Sequence, residues 1–122
     1  MAPEPAIMSV EASAVDAQTT VVTIAGEVTF SNVNGLGREL ASVLSAGARN
    51  RVIDLREVAF IDSSGLSALL SASAQARERG GAVALVHGAQ PPSIFRFRGV
   101  DRLLALFASR DEALEGLGGQ VL

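Results

Sequence analysis

Apolar positions along the chain change period several times, and each change marks an element. TVVTIAG, Thr20 to Gly26, is β-branched, nearly continuous and closed by glycine, which reads as a strand. Ile7, Met8 and Val10 suggest a strand before it, set off by a polar turn around Asp16 to Gln18. Val33, Leu36, Leu40, Val43, Leu44 and Gly47 then recur at helical spacing. They predict an amphipathic helix over about Asn34 to Ala48 with its apolar stripe on a sheet. RVIDL, Arg51 to Leu55, returns to strand; Glu57 to Ala59 reads as a connection, and Phe60-Ile61 runs into the polar tetrad Asp62-Ser63-Ser64-Gly65. Leu66, Leu69, Leu70, Ser73, Ala74 and Arg77 restore the helical repeat, which ends near Gly80-Gly81.

AVALVH, Ala82 to His87, is a further core strand. Pro91-Pro92 breaks the chain and can open a short helix through Phe95 to Arg98. Arg102 to Phe107 is apolar enough for a last strand, and Ser109-Arg110-Asp111-Glu112 has capping-box spacing for a terminal helix. Two strands followed by alternating helices and strands imply an α/β fold: one domain, a mixed β-sheet with helices packed against it in one layer or two. The expected division is an N-terminal segment with the first strand over residues 1–18, the core over 19–117 and a tail over 118–122.

Composition narrows the chemistry. At 122 residues and 48% hydrophobic, the chain can bury roughly two thirds of its extended surface without a disulfide or metal to help. It has no Cys, which removes thiol catalysis, disulfides and Cys-based metal sites together. All ten basic residues are Arg, so a Walker-type lysine and a Schiff base are excluded. A net charge of −3 argues against general nucleic-acid binding. One run is basic: Arg96, Arg98, Arg102 and Arg110 outnumber Asp101, as a solvated face or as a contact for an acidic partner. No window approaches ~18 consecutive apolar residues, and MAPEPAIMSV lacks a basic segment followed by a long apolar one. The expectation is a cytoplasmic protein without a membrane anchor.

The tetrad is the candidate site. A serine hydrolase needs a base, and the chain offers only His87, at the end of a strand whose spacing does not require it to meet Ser64. The surroundings also depart from the Gly-x-Ser-x-Gly elbow, since Asp62 and Leu66 stand where the glycines belong. Asp54, Glu57 and Asp62 straddle a strand end without a calcium-loop pattern, and Gly35 and Gly37 lack the third glycine of a phosphate loop. Two readings remain. Asp62 or Ser63 caps the following helix, or a small hydroxyl on the helix N-terminus accepts a phosphate, whose charge the macrodipole and free N–H groups tolerate.

DSSGL after a short apolar strand, here Asp62 to Leu66, resembles the STAS domains, in particular the bacterial anti-sigma factor antagonists. AGEV at Ala25 to Val28, VIDLREVAFID at Val52 to Asp62, Ser93 to Arg96 and Gly99-Val100 resemble family segments in the same order, over about Thr19 to Leu117. The resemblance implies a single STAS-like domain with no cofactor and no catalysis of its own. It also implies partner switching. The unphosphorylated chain would bind an anti-sigma factor that is also an ATP-dependent serine kinase, and so release a sigma factor. Phosphorylation on Ser64 would abolish that binding, and a serine phosphatase would restore it.

Partner contacts implied by the resemblance are Glu27, Thr29, Asp62, Ser63, Ser64, Gly65 and Leu66. Within them Ser63 is read as the likelier cap with Asp62 competing, Gly65 as allowing close approach, and Leu66 as the start of the buried stripe or a partner contact. Thr29 departs from the family, where an acidic residue is common; it is a second polar contact or a β-branched strand end. The alternative implied function is a STAS scaffold or sensor module, such as a stressosome component or an accessory subunit of a transporter.

Overall fold

The computed structural model describes residues 8–45, 49–89, 93–96 and 100–121. β2 (Thr19–Val28), β3 (Asn50–Ile61), β4 (Ala82–Val86) and β5 (Ala105–Phe107) are parallel neighbours, and β1 (Met8–Ala14) pairs antiparallel with β2. The sheet is therefore mixed, in the order β1-β2-β3-β4-β5. The inner strands are β-branched and buried on both faces: Val21, Val22, Val52 and Ile53 are all nearly inaccessible.

Helices α1 (Val33–Ser45) and α2 (Ser63–Glu78) are the crossovers between successive parallel strands. Crossovers of one hand that advance in one direction put their helices on one face. Leu36 and Leu40 of α1 and Leu66, Leu69, Ala72 and Ala76 of α2 accordingly close one core over Val22, Ile24, Ile53 and Leu85. Phe95 of the 3₁₀ turn Ser93–Arg96 and Val100 of α3 (Val100–Leu103) join the same core. The last helix, α4 (Arg110–Val121), connects no strands and folds onto the opposite face, where Ala113 and Leu117 cover Val21, Val52, Ala84 and Val86. Helices therefore lie on both faces of the sheet. Among the described residues, no helix is long and apolar enough to cross a membrane.

Four expectations change. Glu57 to Ala59 is not a connection but part of β3, which keeps pairing with β2 through two register shifts, between Thr23 and Ala25 and between Gly26 and Glu27. A bulge inserts a residue and resets which side chains face inward, so the alternation breaks although the strand does not. Arg102 to Phe107 divides into the end of α3 and a strand that starts only at Ala105. Of the short helix expected through Phe95 to Arg98, the described part belongs to a 3₁₀ turn over Ser93–Arg96, while Ile7, Gly47, Ala48, Pro91, Pro92, Arg98 and Gly99 lie outside the described residues. On α2, Arg77 is exposed, and Ala72 and Ala76 take the inward positions.

Both predicted helix ends have a visible cause. α2 stops in a Schellman arrangement: the Gly81 N–H donates to the Ala76 carbonyl (2.7 Å), the Gly80 N–H to the Arg77 carbonyl (3.0 Å), and Gly80 takes φ +79°. At the start of α4, the Glu112 N–H donates to the Ser109 hydroxyl (3.2 Å), while the Glu112 carboxylate reaches back to the Ala108 N–H (3.2 Å).

Candidate functional site

β2 and β3 run past the end of β4, and their last residues carry the site. Val28 pairs with Ile61, and both point into the core under α1 and α2. The next residue on β3, Asp62, is still extended (φ −97°, ψ −175°) and serves as the N-cap of α2. One carboxylate oxygen accepts from the Gly65 N–H (3.0 Å) and the other from the Phe30 N–H (3.0 Å). The Asp62 N–H donates to the Val28 carbonyl (3.1 Å). One residue thus ties together the end of β2, the turn after it and the start of α2. The Gly65 amide foremost, with help from those of Phe30 and Ser64, holds the Asp62 carboxyl below its ordinary range.

The cap is therefore Asp62 rather than Ser63, which is the first helical residue and is exposed. Ser64 follows in the first turn, half-buried, at one end of a groove of about 290 Å³ between α1 and α2. Val33, Asn34 and Gly37 of α1 line it opposite Ser64, Ser67 and Ser71 of α2. Gly65 turns inward. A Cβ there would meet Ile61 Cγ1 at 2.6 Å and Val28 Cγ1 at 2.8 Å, so the close approach that this glycine permits is between α2 and the strands beneath it. Leu66 is buried in the same core.

The turn from β2 into α1 is tied by its own polar groups. The Thr29 N–H donates to Asn32 Oδ1 (2.9 Å), Asn32 Nδ2 to the Glu27 carbonyl (2.7 Å), and the Thr29 and Ser31 hydroxyls lie 2.8 Å apart. Thr29 is thus engaged within the turn. Glu27 is exposed opposite Phe60. Phe30 and Phe60 are 81% and 52% exposed, and sequence reasoning singled out neither as a contact. The available signal was a phenylalanine within two residues of each strand end, close to a polar stretch.

His87 is not brought to Ser64. Pairing of β3 with β4 ends at Asp54 and Val86, whereas β3 continues over residues 55–61 before Asp62; measured along β2, where Thr23 to Val28 spans Asp54 to Ile61, that is on the order of 15 Å. Its Nδ1 lies 2.7 Å from the Gly88 carbonyl oxygen. Asp54 has a different occupation. Its side chain, 3% exposed, receives Arg56 (Nη2 to Oδ2, 2.7 Å) and Arg110 (Nε to Oδ2, 2.7 Å), and Arg110 also reaches the Thr23 hydroxyl (3.0 Å). Arg110, expected in a basic run, is thus an internal ion-pair partner. Burial alone would raise the Asp54 carboxyl, but hydrogen bonds from Arg56 and Arg110 outweigh it and hold it at about 2. Glu57 is exposed, and no three metal-ligating side chains cluster among the described residues.

A family model described as "Mlab, STAS domain" matches residues 12–107. No curated protein matches the chain by sequence. Among solved structures, an anti-sigma factor antagonist from Mycobacterium paratuberculosis superposes with TM-score 0.80 at 23% identity, covering 94% of this chain and 97% of that one. The Bacillus cell fate determinant SpoIIAA in its phosphorylated form gives 0.66 at 18% identity, covering 88% and 98%. The murine anion transporter Slc26a9 gives 0.68 at 18% identity, covering 95% of this chain but 23% of the transporter. At these identities the likeness is one of fold.

Proposed function

The chain belongs to the STAS domain family, and from that premise we propose that it is an anti-sigma factor antagonist that works by partner switching on Ser64. The observation that carries the reading is the half-buried Ser64 hydroxyl in the first turn of α2, beside the exposed Ser63 and the capping carboxylate of Asp62. Support also comes from a fold neighbour named as an anti-sigma factor antagonist and from another, a cell fate determinant, recorded in a phosphorylated form. In this reading the chain is not an enzyme. It is the substrate of an anti-sigma factor kinase: Ser64 Oγ takes the γ-phosphoryl group of ATP, ADP leaves, and the hydroxyl proton passes to a base of the kinase. A serine phosphatase reverses the step, and all of this takes place in the cytoplasm. Glu27, Ser63 and Ser64 face the partner, while Asp62 and Thr29 hold them in position.

The switch is electrostatic. Phosphate adds about −1.5 to −2 charges at neutral pH, beside a carboxylate that already occupies the Gly65 N–H. In the free chain, the helix N-terminus and water offset this charge. Inside an interface the water is lost, and an uncompensated buried charge costs about 3–5 kcal/mol. Since about 1.4 kcal/mol is tenfold in affinity, a loss of at least about a hundredfold follows without refolding.

The test is incubation with ATP and an anti-sigma factor kinase, followed by mass spectrometry and calorimetric titration. We expect one phosphate, on the peptide Phe60 to Leu70, absent in Ser64→Ala, and binding weakened at least about a hundredfold in Ser64→Asp. Undiminished binding by both the phosphorylated protein and Ser64→Asp would overturn the reading. A second reading, a STAS module that assembles with a transporter, is favoured by the Slc26a9 likeness, in which a fold like this chain's makes up 23% of the transporter. It predicts a stable assembly that forms without phosphate.

A further inference from the structure

Among the described residues, four large apolar side chains are exposed: Val15, Phe30, Phe60 and Leu103. Val15 and Leu103 precede β2 and β5, whereas Phe30 and Phe60 lie at the opposite, carboxyl end of the parallel strands, where α2 begins with Ser64 in its first turn. Each exposure has a local cause. Ile61 and Val28 use the inward positions, so the neighbouring Phe60 falls on the other face of the sheet, and among the described residues the cluster under α4, built on Val21, Val52, Ala84 and Val86 with Ala82 and Phe107 at its margin, does not include it. Phe30 is held out by the turn itself, its N–H fixed to Asp62 and the flanking Thr29, Ser31 and Asn32 bonded to one another or to Glu27.

An aromatic side chain on an ordered turn loses little freedom when it is buried by a partner, and such residues dominate interface energetics. We infer that Phe30 and Phe60 are the two anchors by which the anti-sigma factor kinase grips this end of the molecule, seating them in apolar pockets on either side of the cleft that receives Ser64. This rests on the partner-switching reading. The occupant follows from position: a kinase that reaches the Ser64 hydroxyl must cover the surface around it, and Phe30 shares the Asp62 carboxylate with the helix that carries Ser64. Glu27 and Ser63, both exposed beside the anchors, supply a polar rim. The arrangement also gives the phosphate its leverage, because a charge placed between two anchors must be desolvated whenever both are seated.

The test uses the full chain and the purified kinase identified by Ser64 phosphorylation, with ADP in place of ATP for binding and with ATP for kinetics. Phe30→Ala and Phe60→Ala should each weaken binding at least about tenfold, with Phe30→Leu retaining most of the affinity. Both should raise KM for Ser64 phosphorylation more than they lower kcat. Val15→Ala and Leu103→Ala are the controls, and neither should change binding. Thermal melts should place all four alanine variants near wild type, since the side chains removed are at least half exposed. If wild type binds and is phosphorylated but the two phenylalanine variants match it, the anchors are overturned and the switch stands. Equal losses in the Val15 or Leu103 variants overturn them too. If no anti-sigma factor kinase binds or phosphorylates the wild-type chain, so that none can be identified, the switch and the anchors fall together.

Discussion

Gly65 carries more of the site's geometry than either serine. Its missing side chain lets the first turn of α2 settle onto Ile61 and Val28, which in turn places Ser63 and Ser64 at the rim. Gly65→Ala would put a methyl group within 2.6 Å of Ile61 and 2.8 Å of Val28, both β-branched and closely packed. Overpacking of this kind costs about 1–3 kcal/mol, outweighing the better helix propensity of alanine. Urea denaturation should show that loss. Helix content should persist, while the Ser64 region moves outward and phosphorylation slows. The tetrad announced a helix start, but it did not divide the roles within it. Asp62 and Ser63 can both accept an N–H, and the choice turned on one backbone angle pair, the extended conformation of Asp62. Nor could spacing say that Gly65 faces inward, because the atoms that crowd it come from two different strands.

β3 shows why helices and strands were legible to different depths. Its first half reads plainly, since Val52 and Ile53 are buried on both faces, but its second half carries exposed Arg56, Glu57, Ala59 and Phe60 through two register shifts. Hydrogen bonding to β2 sustains it there, and that bonding leaves no trace in the hydrophobic pattern. The same strand contains Arg51, fully buried, whose guanidinium donates to the Leu40 carbonyl of α1 (2.6 Å) and the Ala72 carbonyl of α2 (3.2 Å). Among the described residues its Nε has no hydrogen-bond partner, and burial, followed by the nearby Arg79, lowers its pKa. Here two charged hydrogen bonds clamp both crossover helices onto one strand. Arg51→Ala removes them and opens a cavity, and we expect a loss of about 2–5 kcal/mol by the precedent of large-to-small core changes. Equilibrium urea unfolding checks this, and a loss below about 1 kcal/mol would mean that the desolvated charge cancels its own contacts.

Asp54 ties the last helix to the sheet. It draws Arg56 from its own strand and Arg110 from α4, and Arg110 continues to Thr23 on β2. Because the carboxyl titrates near 2 in the folded chain and near 3.9 when unfolded, its contribution is complete above about pH 4 and is lost as pH falls through 2. That contribution is on the order of 2 kcal/mol. Stability should therefore fall on acidification by about this much more in wild type than in Asp54→Asn, as urea midpoints at pH 6 and pH 2.5 would report. At neutral pH the same substitution should cost about 2 kcal/mol rather than the 3–5 of a stranded buried charge, because Arg56 and Arg110 are 47% and 42% exposed and can rehydrate. From the sequence alone came the α/β class, the order of the main strands and helices, the end of α2, the start of α4 and the tetrad as the candidate site, because periodicity, capping residues and glycine stops act over a few neighbours. Tertiary structure decided which residue caps α2, where β3 ends, that Arg110 turns inward to Asp54, and that Phe30 and Phe60 stand at the Ser64 end. Each of these depends on atoms brought together from distant parts of the chain.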